Sequence, residues 1–397
     1  MTIAGKTGEV TLPAGRHHHN RLSSAWLVGV CLVASSALLT AAAAPDTTGD
    51  CAATTGVPVD QRIAACSAIL ASPALALEGR IAALDNRGRA FKQKGAIDKA
   101  VADYTEALRL DPSNPLLFNN RGVAYQAQNN QMKALGDYAE AVRLKPDFVL
   151  ALFNHGTANQ ALQDYNNAIA DYGRVLAVEP HHAKALTNRG NVYLALGQTD
   201  KAIADYDAAI TADGSLAIAF FNRGFAYRRK GEAQRAIADL TRVIELEPTL
   251  ASGYYQRALA YRQTGDAAKA LVDFSAAIER DKTNARYWNS RCWTRATSGD
   301  LNNALVDCDE AVRLNPGFAP AWDSRGFIHL RQNDAGSAIE DYNQALTLDP
   351  DSAEALFGRG MAKRALGDEA GAQGDLRAAA SVKPTIAADM AKIGLGP

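Results

Sequence analysis

Nine aspartates recur every 34 residues along this 397-residue chain: Asp103, Asp137, Asp171, Asp205, Asp239, Asp273, Asp307, Asp341 and Asp375. Sixteen residues before them stand Arg87, Arg121, Arg189, Arg223, Arg257, Arg291, Arg325 and Arg359, with His155 before Asp171. A carboxylate facing a guanidinium or an imidazole could move a proton or hold an anion at one place in a protein. Here the pair returns once per period, so it serves a structural unit rather than a single reacting centre. The guanidinium fork suits a carboxylate or backbone carbonyls, and the spacing predicts an ion pair across a helix seam. Which unit supplies each aspartate is left open by the spacing.

Other reagents are few. There is no glycine-rich phosphate loop, no GxSxG and no HExxH. Beyond residue 44 the histidines are His155, His181, His182 and His329. His181-His182 follows Pro180 and reads as a solvated turn between two units rather than a metal pair. No CxxC or other metal-ligand spacing occurs. Carboxylates outside the ladder sit mostly in turns, as Asp111 and Asp349 do. The expectation is a protein with no catalytic centre, no metal and no cofactor. Lys+Arg is 42 against Asp+Glu 43, which gives no electrostatic footprint for nucleic acid. With 47% hydrophobic and 21% charged residues the chain is neither disordered nor wholly membrane-embedded.

The period itself dictates the elements. From residue 81, nine windows of 34 residues follow without insertion or deletion to residue 386. Position 20 is always Ala, position 8 is Gly except at Ala258 and Cys292, and position 32 is Pro except at Gly214 and Lys282. In the first window the pattern predicts a helix A over about 82–94, stopped by Gly95, and a helix B over about 97–110, stopped by Asp111-Pro112. Small Gly88 and Ala100 allow close approach of the two helices, and Phe91 and Tyr104 fill the seam beside them. One such hairpin cannot bury its own apolar face, so neighbours must stack on it. Before the windows, residues 60–70 read as an amphipathic helix capping the first. In the last window, Gly371 and Gly374 make the second helix degenerate, and residues 386–393 form a short capping segment.

This pattern resembles the tetratricopeptide repeat, whose two-helix unit has the same length and the same small, large and proline positions. The motif NRGxAY stands at Asn120-Arg121-Gly122-Val123-Ala124-Tyr125 and again at Asn222-Arg223-Gly224-Phe225-Ala226-Tyr227. The resemblance implies an all-α, right-handed superhelical solenoid of stacked helical hairpins. It divides the chain into a leader (1–44), an N-terminal capping segment (45–80), nine repeats (81–386) and a C-terminal tail (387–397). It also implies a concave wall lined by helix A at positions 2, 5, 9, 12 and 13. In windows 4 to 7 these positions include Asn191, Phe221, Phe225, Arg228, Arg229, Tyr255, Arg262 and Trp293. Aromatic anchors beside guanidiniums suit an extended peptide with apolar and acidic side chains. Trp293 is either an anchor for that peptide or covered by a neighbouring side chain. Position 5 carries no lysine, so the basic carboxylate clamp of some relatives has no counterpart. The reading is a non-enzymatic scaffold for a protein or peptide partner. Its alternatives are a structural or self-assembly role in the cell envelope and, more remotely, an enzyme whose site the sequence hides.

Residues 1–21 carry Lys6, Arg16, His17, His18, His19 and Arg21, and residues 22–44 carry no charge before an alanine-rich exit. This is the pattern of a signal peptide, or else of an uncleaved N-terminal anchor. Either exports the rest, to the periplasm or beyond, or leaves it anchored to the inner membrane facing the periplasm; membrane contact arises only through an uncleaved leader. Cys31 follows Val30, which does not suit lipid attachment. Export leaves Cys51, Cys66, Cys292 and Cys308, an even count that favours disulfides. In a solenoid, residues near 60 and near 300 lie several repeats apart, which leaves Cys51–Cys66 and Cys292–Cys308 as the pairing. The alternative is four small buried hydrophobes. Together the leader, the Cys51 to Cys66 segment, the NRG units and the Arg291 to Cys308 stretch resemble exported tetratricopeptide proteins of rhizobia-like alphaproteobacteria. That narrower likeness implies export and a scaffold role.

Overall fold

The computed structural model describes residues 47–396. The leader expected over 1–44, with Cys31 and the histidine triplet, lies outside the described residues. Among the described residues there are twenty-one helices and no strand. Two short helices come first, α1 (Thr47–Ala52) and α2 (Val59–Leu70). Nine hairpins follow: α3 (Leu77–Gln93) with α4 (Ile97–Leu110), α5 (Pro115–Ala127) with α6 (Gln131–Leu144), and α7 (Val149–Ala161) with α8 (Tyr165–Val178). Next are α9 (Ala183–Ala195) with α10 (Thr199–Ala212), α11 (Ala217–Lys230) with α12 (Ala233–Leu246), and α13 (Ala251–Gln263) with α14 (Ala267–Arg280). The last are α15 (Ala285–Thr297) with α16 (Leu301–Leu314), α17 (Ala319–Arg331) with α18 (Ala335–Leu348), and α19 (Ala353–Ala365) with α20 (Glu369–Val382). A short α21 (Ile386–Ala391) closes the series. No helix among the described residues is long and apolar enough to cross a membrane.

Each hairpin turns on a residue with positive φ. Gly95 has φ 81°, and Gly197, Gly231, Gly265, Gly299 and Gly367 do the same in their hairpins. The second, third and eighth hairpins use Asn129, Gln163 and Asn333 instead, at φ 58°, 62° and 63°. The left-handed cap is therefore a property of the turn, which glycine fills at least cost. The short polar side chains of Asn130, Asp164, Asp266, Asp300, Asp334 and Asp368 then accept backbone N–H groups at the start of the second helix.

Glycine at position 8 has a more specific cause than close helix approach. A Cβ on Gly122 would come within 2.6 Å of the Tyr138 ring, and Gly88 and Gly190 meet Tyr104 and Tyr206 in the same way. The missing side chain makes room for a fully buried tyrosine from the second helix. The two departures keep the same volume by exchanging both partners: Ala258 faces Phe274, and Cys292 faces Cys308.

Two boundaries differ from the sequence reading. The helix expected from about 82 begins at Leu77, because Glu78 and the residues after it continue the helix towards the cap. The second helix of the last hairpin is complete despite its glycines. Asp368 accepts the N–H of Gly371 at 2.9 Å, and Gly374 faces open space.

Candidate functional site

The charge ladder is a framework, and its geometry settles which unit supplies the aspartate. In eight hairpins the arginine of the first helix makes two parallel hydrogen bonds to the aspartate of its own second helix. In the second hairpin Arg121 Nε and Nη2 donate to the Asp137 oxygens, both at 2.8 Å. The aspartates are almost wholly buried. The hydrogen bonds to Asp137, Asp205, Asp239 and Asp273 hold Arg121, Arg189, Arg223 and Arg257 above the ordinary guanidinium range. The remaining Nη1 reaches back to the preceding unit: Arg223 to Asp207 at 2.7 Å, Arg257 to Thr241 at 3.1 Å, Arg291 to Ser275 at 3.0 Å. Arg87 finds Ser67 on α2 at 3.1 Å, so the capping helix takes the place of a preceding unit. In the third hairpin His155 Nδ1 lies 2.7 Å from Asp171, and Asn159 supplies the second donor at 3.0 Å. Each of these buried carboxylates is thus consumed by the fold. His182, read as a solvated turn residue, caps α9 and packs on Phe153 with ring centroids 5.3 Å apart.

First helices of successive hairpins touch one another directly, α3 with α5, α5 with α7, and so on; second helices do not come into comparable contact. The first helices therefore line the inner, concave wall. Asn191 on this wall is held inside it, accepting from the Tyr206 hydroxyl and from Asn222, both at 2.8 Å. Phe221 packs on the apolar cluster around Tyr206 and Leu240. Tyr255 lies against Tyr287 at 4.7 Å and Phe274 at 5.8 Å, and its hydroxyl pairs with Ser290 at 3.2 Å.

The arginines of α11 and α13 are different. Arg228 lies over the Phe225 ring at 5.4 Å, and its Nε donates to Gln256 at 3.2 Å. Its guanidinium is pulled below the ordinary range by burial and by the like charges of Arg262 and Arg229, with Tyr255 opposing. Arg262 is open to solvent yet stands inside the concavity, where the surrounding wall removes enough water to lower its pKa too. Among the described residues none of Arg228, Arg229 and Arg262 pairs with a carboxylate. So the structure gathers Phe225, Arg228, Arg229, Tyr255 and Arg262 into one patch, while Asn191 and Trp293 stand apart from it. Gln256, at position 6, belongs to the patch and escaped the sequence reading, which took only positions 2, 5, 9, 12 and 13.

Trp293 on α15 is covered by its neighbour, with its ring 5.1 Å from that of Phe327 on α17. Beyond it the chain covers its own wall. Arg331 Nη1 donates to the Ile393 carbonyl at 2.9 Å, and Leu395, 5% exposed, joins the apolar cluster of Phe327, Leu330 and Met361. Cys51 and Cys66 sit with Cα atoms 4.7 Å apart, and Cys292 and Cys308 at 5.4 Å, both within disulfide reach. No group of three or more His, Cys, Asp or Glu able to hold a metal occurs among the described residues.

Comparison with known proteins gives the same class. Models described as "TPR repeat" match residues 88–129 and 328–367, and models described as "Tetratricopeptide repeat" match 153–217, 217–250 and 251–284, together more than half of the chain. The chain belongs to the tetratricopeptide repeat family, whose arrays are scaffolds for protein–protein contact. Among solved structures, the APC/C Cut9–Hcn1 hetero-tetramer matches at a TM-score of 0.51 and 14% identity, over 80% of this chain and 76% of that one. A tetratricopeptide repeat protein from Parabacteroides merdae is 19% identical, over 76% of this chain and 98% of its own, with a TM-score of 0.47. YrrB, a tetratricopeptide repeat protein with an unusual peptide-binding site, is 20% identical over 47% of this chain and 95% of its own, with a TM-score of 0.40. Identities this low speak to the fold alone. No curated protein matches the chain in sequence.

Proposed function

We propose that this chain is an exported, non-enzymatic scaffold that binds an extended segment of a protein partner on the concave face of the fourth to seventh hairpins. One observation carries the reading: Arg228, Arg229 and Arg262 are held together against Phe225 and Tyr255 without a carboxylate. Every rung of the ladder shows how this fold treats a guanidinium it needs for itself. Three like charges left together on a desolvating wall oppose one another, and an acidic segment would relieve that opposition. The aromatic rings beneath offer rigid apolar area for its neighbouring side chains. The chain's own segment over the eighth and ninth hairpins supports placing the partner before them.

The test is fluorescence anisotropy with labelled peptides that carry Asp or Glu beside Phe or Leu, against wild type, Phe225→Ala and Arg228→Ala. Hot-spot truncation of this kind costs about 2 kcal/mol or more, or roughly thirtyfold in affinity. Variants that fold normally and bind every peptide as wild type does would remove this placement. Export is tested separately. The mass of the purified mature protein should lack residues 1–44, and non-reducing peptide mapping should recover Cys51 joined to Cys66 and Cys292 to Cys308.

A further inference from the structure

Position 5 of the first helix holds an aspartate in two hairpins, Asp85 and Asp323. Their surroundings differ. Asp85 accepts Asn120 Nδ2 from position 6 of the next hairpin at 2.8 Å and faces Arg89 of its own helix at 3.5 Å. This contact between neighbouring hairpins recurs as Asn154 to Asn119 at 2.8 Å and as Ser290 to Tyr255 at 3.2 Å. At Asp323 both donors are missing. Position 6 of the next hairpin is Gly358, and the place of Arg89 is taken by Phe327. Gly358 cannot be exchanged freely for a donor, because a Cβ there would collide with the Tyr342 ring of α18. Tyr342 is fully buried, and its hydroxyl has no hydrogen-bond partner among the described residues. Asp323 is the charged group it feels most.

The other groups facing this spot are already engaged. Asp341 of α18 is bound by Arg325 at 2.7 Å. Glu354 of α19 lies close enough to repel Asp323 and is met by Lys383 at 3.2 Å, which also holds Asp389. On α15, Arg286 lies over the Phe318 ring at 5.8 Å. A partly buried carboxylate, a buried hydroxyl with a free lone pair and a second carboxylate nearby thus converge without a cation of their own. Burial, reinforced by Glu354, pushes Asp323 up to about 7.

We propose that Asp323, with the Tyr342 hydroxyl and Glu354, forms a subsite for a primary ammonium group of the bound partner: a lysine side chain or an N-terminal amine. It rests on the reading that the concave face holds a partner segment, and it gives that segment a direction, acidic residues at Arg228 and Arg262 and an amine at Asp323. An ammonium supplies three donors to a site that offers only acceptors. It also restores the charge that burial disfavours on Asp323, so binding releases a proton and strengthens as the pH rises through 7.

The probe is N-acetyl-lysine-N′-methylamide, with the norleucine analogue as the uncharged control, followed by ligand-observed NMR on the full chain. Wild type should bind the lysine probe at least tenfold more tightly at pH 8 than at pH 6 and should not bind the control. Asp323→Asn should lose at least tenfold at pH 8. Tyr342→Phe, which keeps the ring and drops the hydroxyl, should lose severalfold with its helical signal unchanged. Arg228→Ala should bind the amine as wild type does, so failure of the arginine patch and failure of this subsite are read separately. Unchanged binding in folded Asp323→Asn, or no binding to wild type, overturns the proposal.

Discussion

At the residue scale, the same side-chain types do opposite work according to what surrounds them. Asp307, 1% exposed, receives Arg291 through two bonds and Arg295 Nη1 at 2.7 Å. Replacing it with asparagine leaves two desolvated guanidiniums without a counter-charge, and a broken buried pair costs about 3–5 kcal/mol. Asp171→Asn should cost less, since the imidazole of His155 can give up its proton and a guanidinium cannot. Chemical denaturation of both variants checks the order. Asp323 predicts a pH dependence of the reverse sign to the usual aspartate. Its pKa is near 7 in the folded chain against about 3.9 unfolded. Between those values the folded state binds the extra proton, so stability falls as the pH rises from about 4 through about 7 and levels off above. Asp323→Asn should therefore be more stable than wild type at pH 8 and lose that advantage near pH 4, as read from urea midpoints across the pH range.

At the scale of the hairpin, much was legible because the constraints are local and repeat. Alanine at position 20, proline after the second helix and the aspartate–arginine pair follow from packing two helices of fixed length. What the period could not reveal is which atoms meet. Gly122 and Gly136 look alike in the sequence; a Cβ would strike the Tyr138 ring at the first and meet nothing at the second. Gly122→Ala should destabilise by about 1–3 kcal/mol through overpacking. Gly136→Ala, in the middle of α6, should stabilise by up to about 1 kcal/mol from helix propensity alone. Thermal melts of the two variants give the comparison. The groove was legible only as a set of positions. That Tyr255 and Asn191 spend their polar atoms inside the wall, and that Trp293 lies against Phe327, depends on side chains one hairpin away. A sequence read window by window does not carry that information.

Across the array, stability is the sum of hairpins and of the seams between them, so a weak seam divides the molecule. Seven first helices send a guanidinium Nη1 to the preceding unit, and two do not. His155 is too short a side chain to reach back and would face Ala139. Arg189 keeps its bonds to Asp205, but the acceptor position before it is Gly173. Apolar packing continues through both junctions, around Leu152, Tyr172 and Val192. What is missing is the polar link that the other seams have. The first two hairpins with their cap should therefore separate from the later ones at lower denaturant, seen as two steps in hydrogen exchange, with amides of α3–α6 opening before those of α11–α18. Gly173→Thr supplies the acceptor that Thr105 gives Arg121 and Thr241 gives Arg257. A Cβ at Gly173 meets nothing within 4 Å, so the change brings no overpacking. A hydrogen bond of about 1 kcal/mol, with a gain in helix propensity of a few tenths, should raise the first step and draw the two together. One coincident transition in wild type, unmoved by Gly173→Thr, would mean that apolar contact alone couples these hairpins and that the backward-reaching arginines contribute nothing to cooperativity.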